Sequence, residues 1–157
     1  MEILYEMTIK STKETIEFKP IQKSDEGDNE NNCITGVQFG FDSKNELNDR
    51  DKDGKVVIRV YGAFDGEAAT FSAIKQLSDW AKSRQDIYRE VTITLSTKDG
   101  ATDNYKRTYH FDRMYCVDYF ENSGVAVQKD GGEGIEFMLL MAQSPTYRIS
   151  ETKAEKV

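Results

Sequence analysis

The sequence predicts a mainly β fold: a small antiparallel β-barrel with one α-helix packed on it and long polar loops. Three observations predict it. Apolar and polar residues alternate with a period of two in segments spread along the chain, which is the mark of half-buried strands. A single stretch, Ala69 to Arg84, changes to the three- and four-residue spacing of a helix. Gly36 and Gly40 stand inside an otherwise strand-like run, where a bend or a close backbone approach is needed to justify them, and a curved sheet supplies that need.

Taken in order, Ile3, Tyr5, Met7 and Ile9 alternate with Leu4, Glu6, Thr8 and Lys10 in a first strand, and a short second strand runs through Ile16 and Phe18. Ser24 to Asn32 is acidic, rich in amides and without apolar residues, so it reads as an exposed loop. Cys33–Phe41 resumes the alternation with Val37, Phe39 and Phe41 on one face. Asp42–Lys55 is a second polar loop, longer than most strand connections. The apolar strand Val56–Tyr61 leads through Gly62–Glu67 into the helix, whose stripe is Phe71, Ile74, Leu77 and Ala81, flanked by Trp80 and opened by Thr70 as N-cap.

Val91, Ile93 and Leu95 then form one arm of a hairpin, Asp99-Gly100 its turn, and Tyr105, Arg107, Tyr109 and Phe111 the other arm. Tyr115–Phe120 continues as a strand and Asn122–Gly134 reads as a glycine-rich connection. Ile135–Gln143 is the most apolar strand, to be covered on both faces. Residues 1–150 make one domain, and Glu151–Val157 is a charged tail expected to fray.

At 157 residues the chain is long enough for one real core, supplied by eight Tyr, eight Phe and one Trp. The net charge of −7 and the lack of a basic cluster argue against nucleic-acid backbones and anionic lipid as partners. Met1 is followed by Glu2-Ile3-Leu4-Tyr5-Glu6, which lacks the features of a secretory leader, and no apolar run approaches a membrane span. The expectation is synthesis in the cytoplasm without a signal peptide and without a membrane anchor. Cys33 and Cys116 permit one disulfide and do not require it.

Candidate chemistry is sparse. Asp49, Asp51 and Asp53 alternate before Gly54 as carboxylates do in calcium loops, yet the twelfth position is Val60 where a bidentate glutamate belongs. A solvated acidic turn is the competing reading. His110, the only histidine, stands beside Asp112 without a nucleophile motif, and no zinc-ligand spacing is present. Gly131-Gly132-Glu133-Gly134 lacks the lysine of a phosphate loop. Tyr105, Tyr109, Tyr115 and Tyr119 could line a sugar-stacking face or serve as core edge and interface. The expectation is a protein with no catalytic residues, no cofactor and no metal.

The run VVIRVYGAFDGEAATFSAIKQLSDWAKSRQDIYREVTITLSTKDG, followed by YKRTYHFDRMYCVDYFENSG and GIEFMLLMAQ, resembles the haemolysin-coregulated tube protein of type VI secretion and the tube proteins of contractile phage tails. The likeness covers roughly residues 33 to 143 and lies in the order and length of elements, with Ser72 and the Tyr115–Tyr119 segment as local echoes. The basic-proline signature found ahead of the helix in type VI members is absent. The resemblance implies a β-barrel that closes into hexameric rings, rings that stack into a hollow tube, and sheath, baseplate or spike proteins and cargo as partners. It also implies export as part of an injection apparatus. The alternatives are a stand-alone β-sandwich or barrel that binds a carbohydrate through the tyrosines and, weakest, a hydrolase centred on His110.

Overall fold

The computed structural model describes residues 2–22, 29–42, 55–64, 66–98, 105–126, 133–143 and 151–156. Its elements are β1 (Glu2–Lys10), β2 (Thr15–Phe18), β3 (Ile21–Gln22), β4 (Asn29–Glu30), β5 (Ile34–Asp42), β6 (Lys55–Ala63), α1 (Ala68–Lys82), β7 (Arg89–Lys98), β8 (Tyr105–Ala126), β9 (Glu133–Gln143) and β10 (Glu151–Lys156). Eight strands form one antiparallel sheet with the path β2-β1-β7-β8-β9-β6-β5, and β10 pairs with β8 beside that path. Among the described residues the mainly β expectation and the single helix are observed.

Cross-strand pairs fix which side chains share a face. Ile9, Val91 and Phe111 stand in one row, and Ile58, Met141 and Cys116 in another, all on the inner side. Met7, Ile9, Ile58, Val60, Val91, Ile93, Phe111, Leu139 and Met141 are fully buried there. The sheet curls strongly around this layer. Phe39 of β5 stacks on Tyr109 of β8 at 4.3 Å, and Phe18 of β2 lies 6.2 Å from Phe137 of β9, although these strands are not neighbours in the path. The inner face therefore packs against itself.

The ladder path ends at β2 and β5, and side chains bridge the space between β5 and β1. Just ahead of β5, the Asn31 carboxamide treats β1 as a neighbouring strand would. Its Oδ1 accepts the Tyr5 N–H at 3.0 Å and its Nδ2 donates to the Ile3 carbonyl at 2.7 Å. Asn32 Nδ2 donates to the Tyr5 carbonyl at 2.9 Å while its Oδ1 accepts the Ile34 N–H at 2.8 Å. Asn32 is 6% exposed, so the end of the amide-rich run is a buried latch and not the exposed loop expected. Buried amides persist only when bonded in this way.

The helix covers the inner layer near β2 and β8, and its buried residues are Thr70, Ala73, Ile74, Leu77 and Trp80. This corrects the expected stripe. Phe71 is 56% exposed and Ala81 is exposed, because the buried arc is rotated by about one residue and Phe71 instead meets Phe64 at 5.6 Å. Thr70 is likewise not the N-cap: Glu67 holds that position, and the Thr70 hydroxyl donates to the Glu67 carbonyl at 2.8 Å from inside the first turn. Trp80 anchors the other end, its indole N–H donating to the Ile87 carbonyl at 3.0 Å. Arg89, 5% exposed, lies 5.2 Å from the Trp80 ring centre and pairs with Glu14 at 3.0 Å, tying the helix end to the β1–β2 turn.

Two further expectations are corrected. The segment 122–126 is not connection but the end of β8, paired with β9 as far as Ala126 and Glu133. The charged tail does not fray through its length, since Glu151–Lys156 pairs with His110–Tyr105. Gly62 is a glycine that the fold demands: a Cβ there would lie 2.3 Å from the Phe137 ring and 2.8 Å from the Cys33 carbonyl.

Candidate interaction surface

The outward face of β5, β6, β9 and β8 presents three cross-strand rows. The first is Gly36, Tyr61, Met138 and Phe120; the second Gln38, Arg59, Leu140 and Asp118; the third Gly40, Val57, Ala142 and Tyr115. Strand alternation puts these residues outward because their sequence neighbours Ile58, Val60, Leu139 and Met141 fill the core. Tyr61 is 40% exposed and Phe120 54%, with Met138, Leu140 and Val57 half-buried between them. An apolar patch continuous across strands is uncommon on a surface without a partner.

Glycine usage on this face adds a second observation. A Cβ at Gly36 would meet only Tyr61 Cδ2 at 3.9 Å, and one at Gly40 only Val57 atoms at 3.5 Å and beyond, which are ordinary contacts. A register shift lies beside Gly36, between it and Ile34. The interior thus does not forbid a side chain at either position, and the two glycines leave the flank of the patch low. A shallow hollow of about 220 Å³ lies there, lined by Gln38, Gly40, Val57 and Arg59. Arg59 and Asp118 are exposed in the same row on either side of Leu140, and neither side chain forms an ion pair among the described residues.

The other half of the outward face is polar. Thr8, Thr92 and His110 share a row, as do Glu6, Thr94 and Thr108. His110 Nε2 lies 3.0 Å from Asp112 Oδ1 and 3.2 Å from Glu90 Oε1, and Nδ1 lies 3.0 Å from Thr92 Oγ1. A proton on Nε2 lets the ring donate to the carboxylates while Nδ1 accepts the threonine hydroxyl. The arrangement sits on central strands whose backbone N–H groups serve the ladders to their neighbours. It binds the sheet surface together.

The four tyrosines do not share a face, because β8 carries register shifts opposite Arg89 and Val91 and between Cys116 and Asp118. Each shift moves the inward set by one residue. Tyr109 stacks on Phe39, and Tyr119 packs 6.3 Å from Phe137 while its hydroxyl donates to Glu121 at 2.6 Å. Tyr115 points the other way and meets Tyr88 edge-on at 6.1 Å, and Tyr105 is an exposed residue at the far end of the strand. Near Tyr105 a cavity of about 510 Å³ opens between Ile3, Leu95, Arg107 and Ala154.

Cys33 is buried and Cys116 half-buried, and both are thiols. Burial first, and then the Asp118 carboxylate, pushes the Cys116 thiol from 9.0 up to about 11. Burial also raises the Tyr119 phenol, helped by the Glu121 hydrogen bond. Asp49, Asp51, Asp53 and Gly54 lie outside the described residues, as do Gly131 and Gly132. Among the described residues no cluster of three or more His, Cys, Asp or Glu is arranged to hold a metal, and no helix is long and apolar enough to cross a membrane. Comparison of the chain with protein-family models, with curated proteins and with solved structures finds no match.

Proposed function

We propose that this chain is a structural subunit of a ring-stacked hollow tube belonging to a contractile injection, secretion or phage-tail-like system. The observation that carries the reading is the apolar outward face formed by Tyr61, Phe120, Met138 and Leu140 on a curled antiparallel sheet that bears one helix. A patch of this kind loses free energy to water until a protein surface covers it. The order of elements agrees with the tube-protein resemblance. In this reading the curled sheet acts as a small barrel, six copies form a ring, and sheath, baseplate or spike proteins and cargo are its other partners. In this reading the subunit is made in the cytoplasm and exported within the apparatus, and its role is structural with no catalytic centre or cofactor.

The polar loop Asp42–Lys55, of which residues 43–54 lie outside the described residues, serves in this proposal as a ring-stacking segment. Negative-stain microscopy of the purified full chain, with native mass spectrometry, tests the reading. Rings with a central hole and masses at six copies or multiples are expected at high concentration, since weak ring contacts assemble by mass action. A monomer at millimolar concentration would sink it. Replacing 43–54 by a tight glycine-containing turn should leave rings intact and shorten tubes; long tubes from that variant would remove the stacking role. The sugar-binding alternative has less support, because the tyrosines of β8 divide between two of its faces.

A further inference from the structure

We infer that the outward face of β6, β9 and β8 pairs with the same face of a second copy, about a two-fold axis that runs along β9 above Leu140. The inference gives this face to a two-fold contact in place of the ring contact proposed above, so that any ring would be held by other surfaces. A two-fold contact is self-complementary and closes at two copies, whereas a ring of six needs a head-to-tail contact.

The charges decide the geometry. Arg59 on β6 and Asp118 on β8 each face Leu140 in register, so they stand two strand spacings apart, roughly 10 Å. At that separation they do not pair with each other within one chain. Rotation about an axis parallel to β9 exchanges the β6 side with the β8 side. It lays Asp118 of the second copy over Arg59 of the first, and the reverse contact forms at the same time. An axis at right angles, along the row, would instead bring Arg59 against Arg59.

The neighbouring row obeys the same rotation. Tyr61 and Phe120 flank Met138, so each tyrosine meets the phenylalanine of the other copy, and both aromatic side chains are exposed in the single chain. Strands then run nearly aligned across the contact, which is the ordinary way for two sheets to pack face to face. The low flank left by Gly36 and Gly40 removes the side chains that would hold the sheets apart.

The patch is small. Three strand spacings by six residues is roughly 15 Å by 20 Å, a few hundred Å² on each copy and below the 800 Å² or so of a standard stable interface. The pairing is therefore weak, dependent on concentration and, with two salt bridges at its centre, weakened by salt.

Sedimentation velocity on the full chain from micromolar to millimolar concentration, at low and high salt, measures the pairing. The variants are Arg59→Glu and Asp118→Arg, both at exposed positions, with thermal melts to show that each remains folded. Each variant alone juxtaposes like charges and should lose self-association by at least tenfold. An equimolar mixture should recover it as a one-to-one heterodimer, since at both contacts a carboxylate of the first variant then faces a guanidinium of the second. A wild-type chain that stays monomeric throughout overturns the inference, as does association indifferent to both substitutions. Recovery in the mixture only as six-fold species overturns the two-fold geometry. Dimers that follow this pattern while microscopy finds no rings would support the inference and count against the ring reading alone.

Discussion

Across its outward face the sheet divides near β8. On the β1–β7 side the rows are threonine, histidine and carboxylate, linked among themselves: Thr94 and Thr108 hydroxyls lie 3.1 Å apart and His110 reaches three partners. On the β9–β6–β5 side the rows are aromatic, aliphatic and glycine, with Arg59 and Asp118 left without ion-pair partners among the described residues. The buried layer behind both halves is alike, with Val91 and Ile93 behind one and Leu139 and Met141 behind the other. The difference between the halves is therefore not dictated by the core. One half links several of its polar groups within the chain, through Thr92, Thr94, Thr108 and His110, and the other offers groups that a second molecule can satisfy.

The largest test of this contrast lies beneath it. Ile93→Ala and Leu139→Ala each remove a fully buried side chain, and each should cost about 2–5 kcal/mol in chemical denaturation of the dilute chain. Comparable losses mean that both halves rest on one core. A much smaller loss for Leu139→Ala would mean that the apolar half is not packed until a partner arrives.

Next comes the helix, in which Leu77 and Phe71 play different parts. Leu77→Ala should also cost about 2–5 kcal/mol, since the side chain is fully buried. Phe71→Ala should cost no more than about 1 kcal/mol, because it gives up chiefly the exposed contact with Phe64. Equal losses would mean that the helix packs by the stripe its sequence suggested.

On the outward faces themselves the effects should separate by kind. Thr94→Ala removes a side-chain hydrogen bond at a mostly buried position and should lower the monomer's stability by about 1 kcal/mol without altering association. Phe120→Ser should change monomer stability by less than about 0.5 kcal/mol and reduce association in light scattering. If Phe120→Ser instead unfolds the chain, the patch belongs to the fold and not to a partner.

The smallest effect is at Cys116. Its thiol stays protonated in the folded chain at pH values where the unfolded chain ionises. Its contribution to stability is thus whole below about pH 9 and lost as the pH rises to about 11. Iodoacetamide should label Cys116 slowly at pH 8 and faster toward pH 11, and rapid labelling at pH 8 would show the site more open than described.

Much of the fold was legible because alternation marks strands wherever the ladder is regular. The β7–β8 hairpin pairs Ile93 with Tyr109 and Leu95 with Arg107, as the alternation suggests, while the Asp99-Gly100 turn lies outside the described residues. Legibility failed where geometry breaks the period. The register shifts in β8 move the inward set from Tyr109 and Phe111 to Met114 and Cys116 and then to Tyr119, so four odd-numbered tyrosines that look like one face are not. The Asn31–Asn32 latch left no trace because amides in an acidic run look solvated until a strand edge is found to need them. The outward patch was hidden for a related reason: Met138 and Leu140 made β9 look covered on both faces, and only the pairing with Tyr61 and Phe120 exposes one of them.

The length of β8 has a mechanical meaning. Its 22 residues carry ladders to β7, β9 and β10 and face the helix as well, so each of these elements hangs from one continuous backbone. No quarter of the sheet can open without loosening a strand that its neighbours also hold. Amide exchange in the middle of β8 should then follow the loss of the whole structure.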